Sequence, residues 1–164
     1  MRIRYLSRST LQSLRRNGFC GTLQLVWKYV GSTLFPVQSD EVVRRFRLGQ
    51  SLSQTLDHTV AYGPFTGLRL SDTSWWGAAD RGSMLLGIYE KEVLEVLELL
   101  SHDRETFIDV GAADGYYAAG AVASGQFDRA ICFELSEEGQ AAIIDNATRN
   151  NVLERVHVLG EATS

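Results

Sequence analysis

The chain has 164 residues, of which 45% are apolar and 22% charged, the balance of an ordinary globular protein with enough apolar mass for one core. No run of about 18 apolar residues occurs, which excludes a membrane-spanning helix, and the only two cysteines, Cys20 and Cys132, argue against a disulfide framework and for a cytoplasmic setting. The net charge of −4 hides an asymmetry: residues 1–47 carry nine Arg/Lys and two acids, and residues 48–164 carry seven Arg/Lys and eighteen acids, a basic arm on an acidic domain.

Nucleic acid, anionic lipid and the acidic part of the same chain are all electrostatic matches for the arm, and the last is the plainest. Residues 1–35 lack the continuous apolar core of a signal peptide, because Arg8, Gln12, Arg15 and Arg16 interrupt it. Helices are expected over Ser9–Arg16 and Leu23–Val30. In the second, Leu23, Val26, Trp27 and Val30 share one face. Residues 1–58 are therefore read as a basic helical extension, with a further helix over Asp40–Leu48 that Ser51–Asp57 extends. Residues 59–164 are read as the main domain.

That domain opens with two short strands, Thr59–Tyr62 and Thr66–Leu70, turned by Gly63-Pro64 into a hairpin. The loop Ser71–Gly87 holds Trp75-Trp76. A tryptophan pair there is either a lid over a site or a plug on the core, and a plug is the commoner use of so much apolar area. The clearest helix is Tyr89–Leu100. Val93, Leu94, Val96, Leu97, Leu99 and Leu100 make its apolar stripe, and Glu92, Glu95 and Glu98 its solvated face. No histidine accompanies those glutamates, so they are not read as a metal site.

The stretch that carries the most chemistry is Thr106–Tyr117, T-F-I-D-V-G-A-A-D-G-Y-Y. A β-prone run over 106–110 enters the turn Gly111-Ala112-Ala113-Asp114-Gly115, and a small-residue helix follows over Tyr116–Ala123. A strand, a glycine turn and a helix N-terminus form a ligand-binding unit, with close backbone approach and unpaired N–H groups. The spacing G-x-x-x-G misses the dinucleotide fingerprint. Asp109 and Asp114 bracket the turn and would repel a pyrophosphate, which places NAD low. A cationic ligand with a ribose and no phosphate fits better, and S-adenosylmethionine (SAM) is such a ligand.

A second strand is expected over Ala130–Phe133, with Glu134 at its tip, nineteen residues past Gly115. An acid there, about 20 residues beyond the turn, is placed to grip a ribose diol. Ser136 is a good N-cap for a helix whose first turn holds Glu137 and Glu138. Its buried side is Ala141, Ala142, Ile143, Ile144 and Ala147, and Asn150-Asn151 ends it. Arg155–Leu159 alternates as a third strand. His58, His102 and His157 share no spacing for a metal site or a triad, and no nucleophile elbow, CxxC pair or P-loop lysine is present.

The string Asp109-Val110-Gly111-Ala112-Ala113-Asp114-Gly115 resembles motif I of class I SAM-dependent methyltransferases, D/E-x-G-x-G-x-G, and Glu134 resembles their ribose-binding acid. The wider run from Gly63-Pro64-Phe65-x-Gly67 through Tyr89-Glu90-Lys91-Glu92 to Asn146-x-x-x-Asn150 is similar to FkbM-type methyltransferases, over about residues 60–162. Ala113 departs from the pattern by replacing the middle glycine, which is tolerable where the local φ is negative. The resemblance implies an α/β, Rossmann-like methyltransferase sheet, partial here as strand, helix, strand, helix, strand. It implies SAM as cofactor and a small-molecule or sugar hydroxyl as methyl acceptor, with no nucleic acid. The cofactor residues it implies are Asp109, Gly111, Ala112, Ala113, Asp114, Gly115, Tyr116, Glu134 and Leu135. It also suggests Ser83 and Met84 as contacts, and Glu161 as an adenine contact that is as readily a plain exposed glutamate. No general base is evident. Ending after the third strand, the chain is expected to be the cofactor-binding front part of such an enzyme, or a truncated, non-catalytic binding module. The exposed edge of the first strand is then a surface for self-association.

Overall fold

The computed structural model describes residues 40–101 and 105–160. The helices expected over Ser9–Arg16 and Leu23–Val30 lie outside them, as do His102 and Glu161.

Helix α1, Asp40–Thr55, covers the expected Asp40–Leu48 and runs on through most of its extension over Ser51–Asp57. Its Gly49 is buried against helix α2, Arg81–Leu85: a Cβ on Gly49 would lie 3.2 Å from the Gly82 nitrogen. The hairpin expected at residues 59–70 is shorter than foreseen. Thr59 and Arg69 form a single antiparallel bridge, flanked by Val60 N–H to Leu68 O (2.9 Å) and Leu70 N–H to His58 O (2.9 Å). The backbone beyond it is taken by side chains instead. Asn150 accepts from Arg69 N–H (2.8 Å) and donates to Arg69 O (2.7 Å), and Asn146 accepts from Ser71 N–H (2.7 Å). These donors and acceptors are satisfied without a longer ladder.

Helix α3, Lys91–Leu100, buries Leu94 and leaves Val96 and Leu99 exposed. Strand β1, Thr106–Val110, leads through the glycine turn into helix α4, Tyr116–Ala123. Strand β2, Arg129–Phe133, is followed by helix α5, Glu137–Arg149, and a short 3-10 turn precedes strand β3, Val156–Leu159. Ser136 caps α5 as its sequence demands, accepting from Gly139 N–H at 3.0 Å.

The described strands form one parallel sheet in the order β1-β2-β3, with Asp109 opposite Cys132 and Cys132 opposite Val158. The architecture is therefore α/β. Alternation gives the sheet two unlike faces. Ala130, Cys132 and Val156 point into a core shared with Ala118 and Val122 of α4 and Ile143 and Ala147 of α5. On the other face Ile108 and Val110 stand 61% and 68% exposed, and no described strand pairs with the outer edge of β1. A second core gathers Val60, Phe65, Leu70, Leu85 and Leu94 around Tyr116. Phe65 packs so closely on Gly120 of α4 that a Cβ there would meet its ring at 2.3 Å.

Cys132 is fully buried, and burial followed by the Asp109 charge pushes its thiol up to about 12. It is an inert core residue. No described helix is long and apolar enough to cross a membrane.

Candidate cofactor cleft

The glycine turn is built by local conformation. Gly111 and Gly115 lie in the left-handed region (φ 77° and 76°), and a Cβ on Gly115 would sit 3.1 Å from Ile143. Ala113 also lies there, at φ 51°. The condition under which alanine replaces the middle glycine freely, a negative φ, is thus not met, and the methyl costs roughly 1 kcal/mol of backbone strain.

Glu134 reaches this turn from the tip of β2. One carboxylate oxygen accepts from Ala113 N–H (3.0 Å), and the other from Ser136 N–H (2.9 Å) and Ser136 Oγ (3.0 Å). Burial raises its pKa, but the hydrogen bonds from Ser136 and Ala113 outweigh that and hold it below the ordinary glutamate value. A carboxylate offers about four acceptor positions, and with the Leu135 N–H also bonding to it a ribose hydroxyl must displace one of these donors. Gly139 makes this seat possible: a Cβ there would meet Glu134 Cγ at 2.7 Å. Leu135 beside it is 68% exposed.

A cleft of about 290 Å³ lies against the turn, and neither Glu134 nor Leu135 lines it. Asp109, Gly111, Ala112, Ala113, Asp114 and Tyr116 line it, joined by Trp76, Met84, Tyr89, Glu90 and Tyr117. Asp109 keeps its Oδ2 buried with no partner. Burial raises its pKa to about 6 against the pull of the Ala118 N–H, and the Glu134 charge adds to the rise. Tyr116 is 3% exposed and also has a buried, unpartnered hydroxyl. Two residues that line the cleft thus carry a buried polar atom without a protein partner.

Asp114 is held differently. Its backbone oxygen accepts from Asn146 Nδ2 at 2.7 Å, and its Oδ2 from Ser74 Oγ at 3.4 Å. Burial raises its pKa while the charge of buried Arg81 lowers it. Of the two side contacts suggested by resemblance, Met84 lines the cleft, whereas Ser83 donates to Asp80 O at 2.7 Å. The tryptophans are not a plug: Trp75 and Trp76 are 41% and 59% exposed, and Trp76 lines the cleft.

Sequence reasoning gave no role to Tyr117 or Arg81 and named Asn146 only within the resemblance. Tyr117 donates to Glu90 Oε2 at 2.5 Å, Arg81 backs Asp114, and Asn146 ties the turn to residue 71. The Asn146-x-x-x-Asn150 spacing was the available signal, since residues four apart share one helix face. Among the described residues no group of three His, Cys, Asp or Glu is placed to hold a metal ion. A scan against models of known protein families finds no match, and neither does a search of curated proteins.

Proposed function

We propose that this chain binds S-adenosylmethionine at the Gly111–Gly115 turn and is the cofactor-holding part of a methyltransferase, with a small-molecule or sugar hydroxyl as acceptor. The finer fold reading is a partial Rossmann-like class I methyltransferase sheet. The supporting observation is the pairing of Glu134 with the turn at Ala113 N–H, beside a cleft in which Asp109 keeps a buried oxygen open. The residues suit the cofactor. Glu134 accepts a ribose hydroxyl, Asp109 accepts from the ammonium, and the turn gives backbone approach. No cationic side chain lines the cleft to oppose a sulfonium.

When bound, the cofactor supplies an activated methyl group. The chain's own part is alignment and electrostatics, with carboxylates that favour the cation over a pyrophosphate. Isothermal titration with SAM, its demethylated product and NAD tests this. Micromolar SAM binding, no NAD binding, and loss of SAM binding in Glu134→Ala are expected. NAD outcompeting SAM would overturn it.

A second reading, a non-catalytic interaction module, is favoured by one observation: the exposed Ile108 and Val110 beside the unpaired β1 edge. Methyl transfer by the isolated chain would exclude it.

A further inference from the structure

Twelve residues line the cleft. Three are carboxylates, four are aromatic, and none is Lys, Arg or His. A site so composed rejects anions and attracts cations. Asp109 and Asp114 belong to the glycine turn, and Asp114 already answers Arg81 and Ser74. Glu90 comes from a different part of the chain, the residue before α3. Its side chain does not cap that helix, and it is held in the cleft by the Tyr117 hydroxyl at 2.5 Å. Its φ of 44° is a conformation that non-glycine residues adopt at a cost, and such strain gathers at sites of function.

Four aromatic residues line the same cleft as this carboxylate. The Tyr89 ring stands 6.3 Å from that of Tyr117 and 5.8 Å from that of Tyr116, and Trp76 faces the same space, largely exposed. Tyr116, 3% exposed, also lines this cleft and keeps a buried hydroxyl without a protein partner.

We infer that Glu90, with the rings of Trp76, Tyr89 and Tyr117, seats an ammonium group carried by the methyl acceptor. The acceptor is then an amine-bearing hydroxyl compound, such as an amino alcohol or amino sugar, and not an anionic metabolite. An ammonium over aromatic faces and beside one carboxylate gains from both. The role as acceptor seat rests on the methyl-transfer reading, while the seat itself does not.

The test uses the full chain, choline as probe and its uncharged tert-butyl analogue as control. Titrations are followed by tryptophan fluorescence and calorimetry, with and without S-adenosylhomocysteine. Choline is expected to bind in the millimolar range, about tenfold more tightly than the analogue. Glu90→Gln and Trp76→Ala, both at exposed positions, are each expected to weaken choline about fivefold or more. Choline should bind equally to the free and the S-adenosylhomocysteine-loaded protein. No choline binding, equal binding of the analogue, indifference to both variants, or competition with S-adenosylhomocysteine would overturn the seat. Choline binding with no S-adenosylhomocysteine binding would instead remove the cofactor reading and leave the seat standing.

Discussion

Replacing Asp109 by Asn should make the protein more stable and, on the proposed function, less able to bind SAM. In the folded chain the Asp109 carboxyl has a pKa of about 6 against an ordinary 3.8, because burial disfavours its charge more than the Ala118 N–H supports it. At about 1.4 kcal/mol for each tenfold change in proton affinity, the ionised group costs the fold about 3 kcal/mol. The sign follows from which state holds the proton. Between pH 4 and 6, roughly, the folded chain keeps it and the unfolded chain has lost it. Stability therefore falls as pH rises through that window, and the cost is complete above it. Asn carries no charge to desolvate and keeps an oxygen for the Ala118 N–H. Urea unfolding at pH 7.5 is expected to show Asp109→Asn more stable by about 2–3 kcal/mol, with the gain vanishing near pH 4. With saturating SAM the order should reverse, because only the wild type gains from binding. An Asn variant that is no more stable at pH 7.5, or equally stabilised at both pH values, would refute the argument that this carboxylate is held in readiness at a cost.

Asn146→Ala removes a 1% exposed amide that bonds both Ser71 N–H and Asp114 O. Two buried partners are left unpaired, and a loss of about 2–4 kcal/mol in chemical denaturation is expected. Ala113→Gly relieves the φ of 51°, and with the entropy cost of glycine set against the relieved strain should add no more than about 0.5 kcal/mol, read as a small rise in melting temperature without loss of SAM affinity. Gly120→Ala forces a methyl onto the Phe65 ring and should lose about 1–3 kcal/mol through overpacking; the double variant Gly120→Ala, Phe65→Leu should recover part of it.

The parts legible in the sequence are those set by neighbours along the chain. Strand β1 at 106–110 and helix α4 at 116–123 fall where the β-prone run, the glycine turn and the alanine-rich stretch placed them. Ser136 caps α5 because an N-cap is a contact three residues long. The separation of Glu134 from Gly115 correctly brought the acid to the turn, since one parallel crossover fixes which strand tips adjoin.

The rest depended on residues far apart in the chain. No local pattern places Glu90 against Tyr117, sets Arg81 behind Asp114, or joins Asn146 to Ser71 across 75 residues. The exposure of the tryptophan pair and the left-handed φ of Ala113 belong to the same class. Short-range periodicity and turn chemistry thus determined the elements and the acid-flanked turn. Only packing of the loop and the second core against α4 decided which polar atoms are buried unpaired, because burial and electrostatic environment are properties of the assembled core and not of any segment within it.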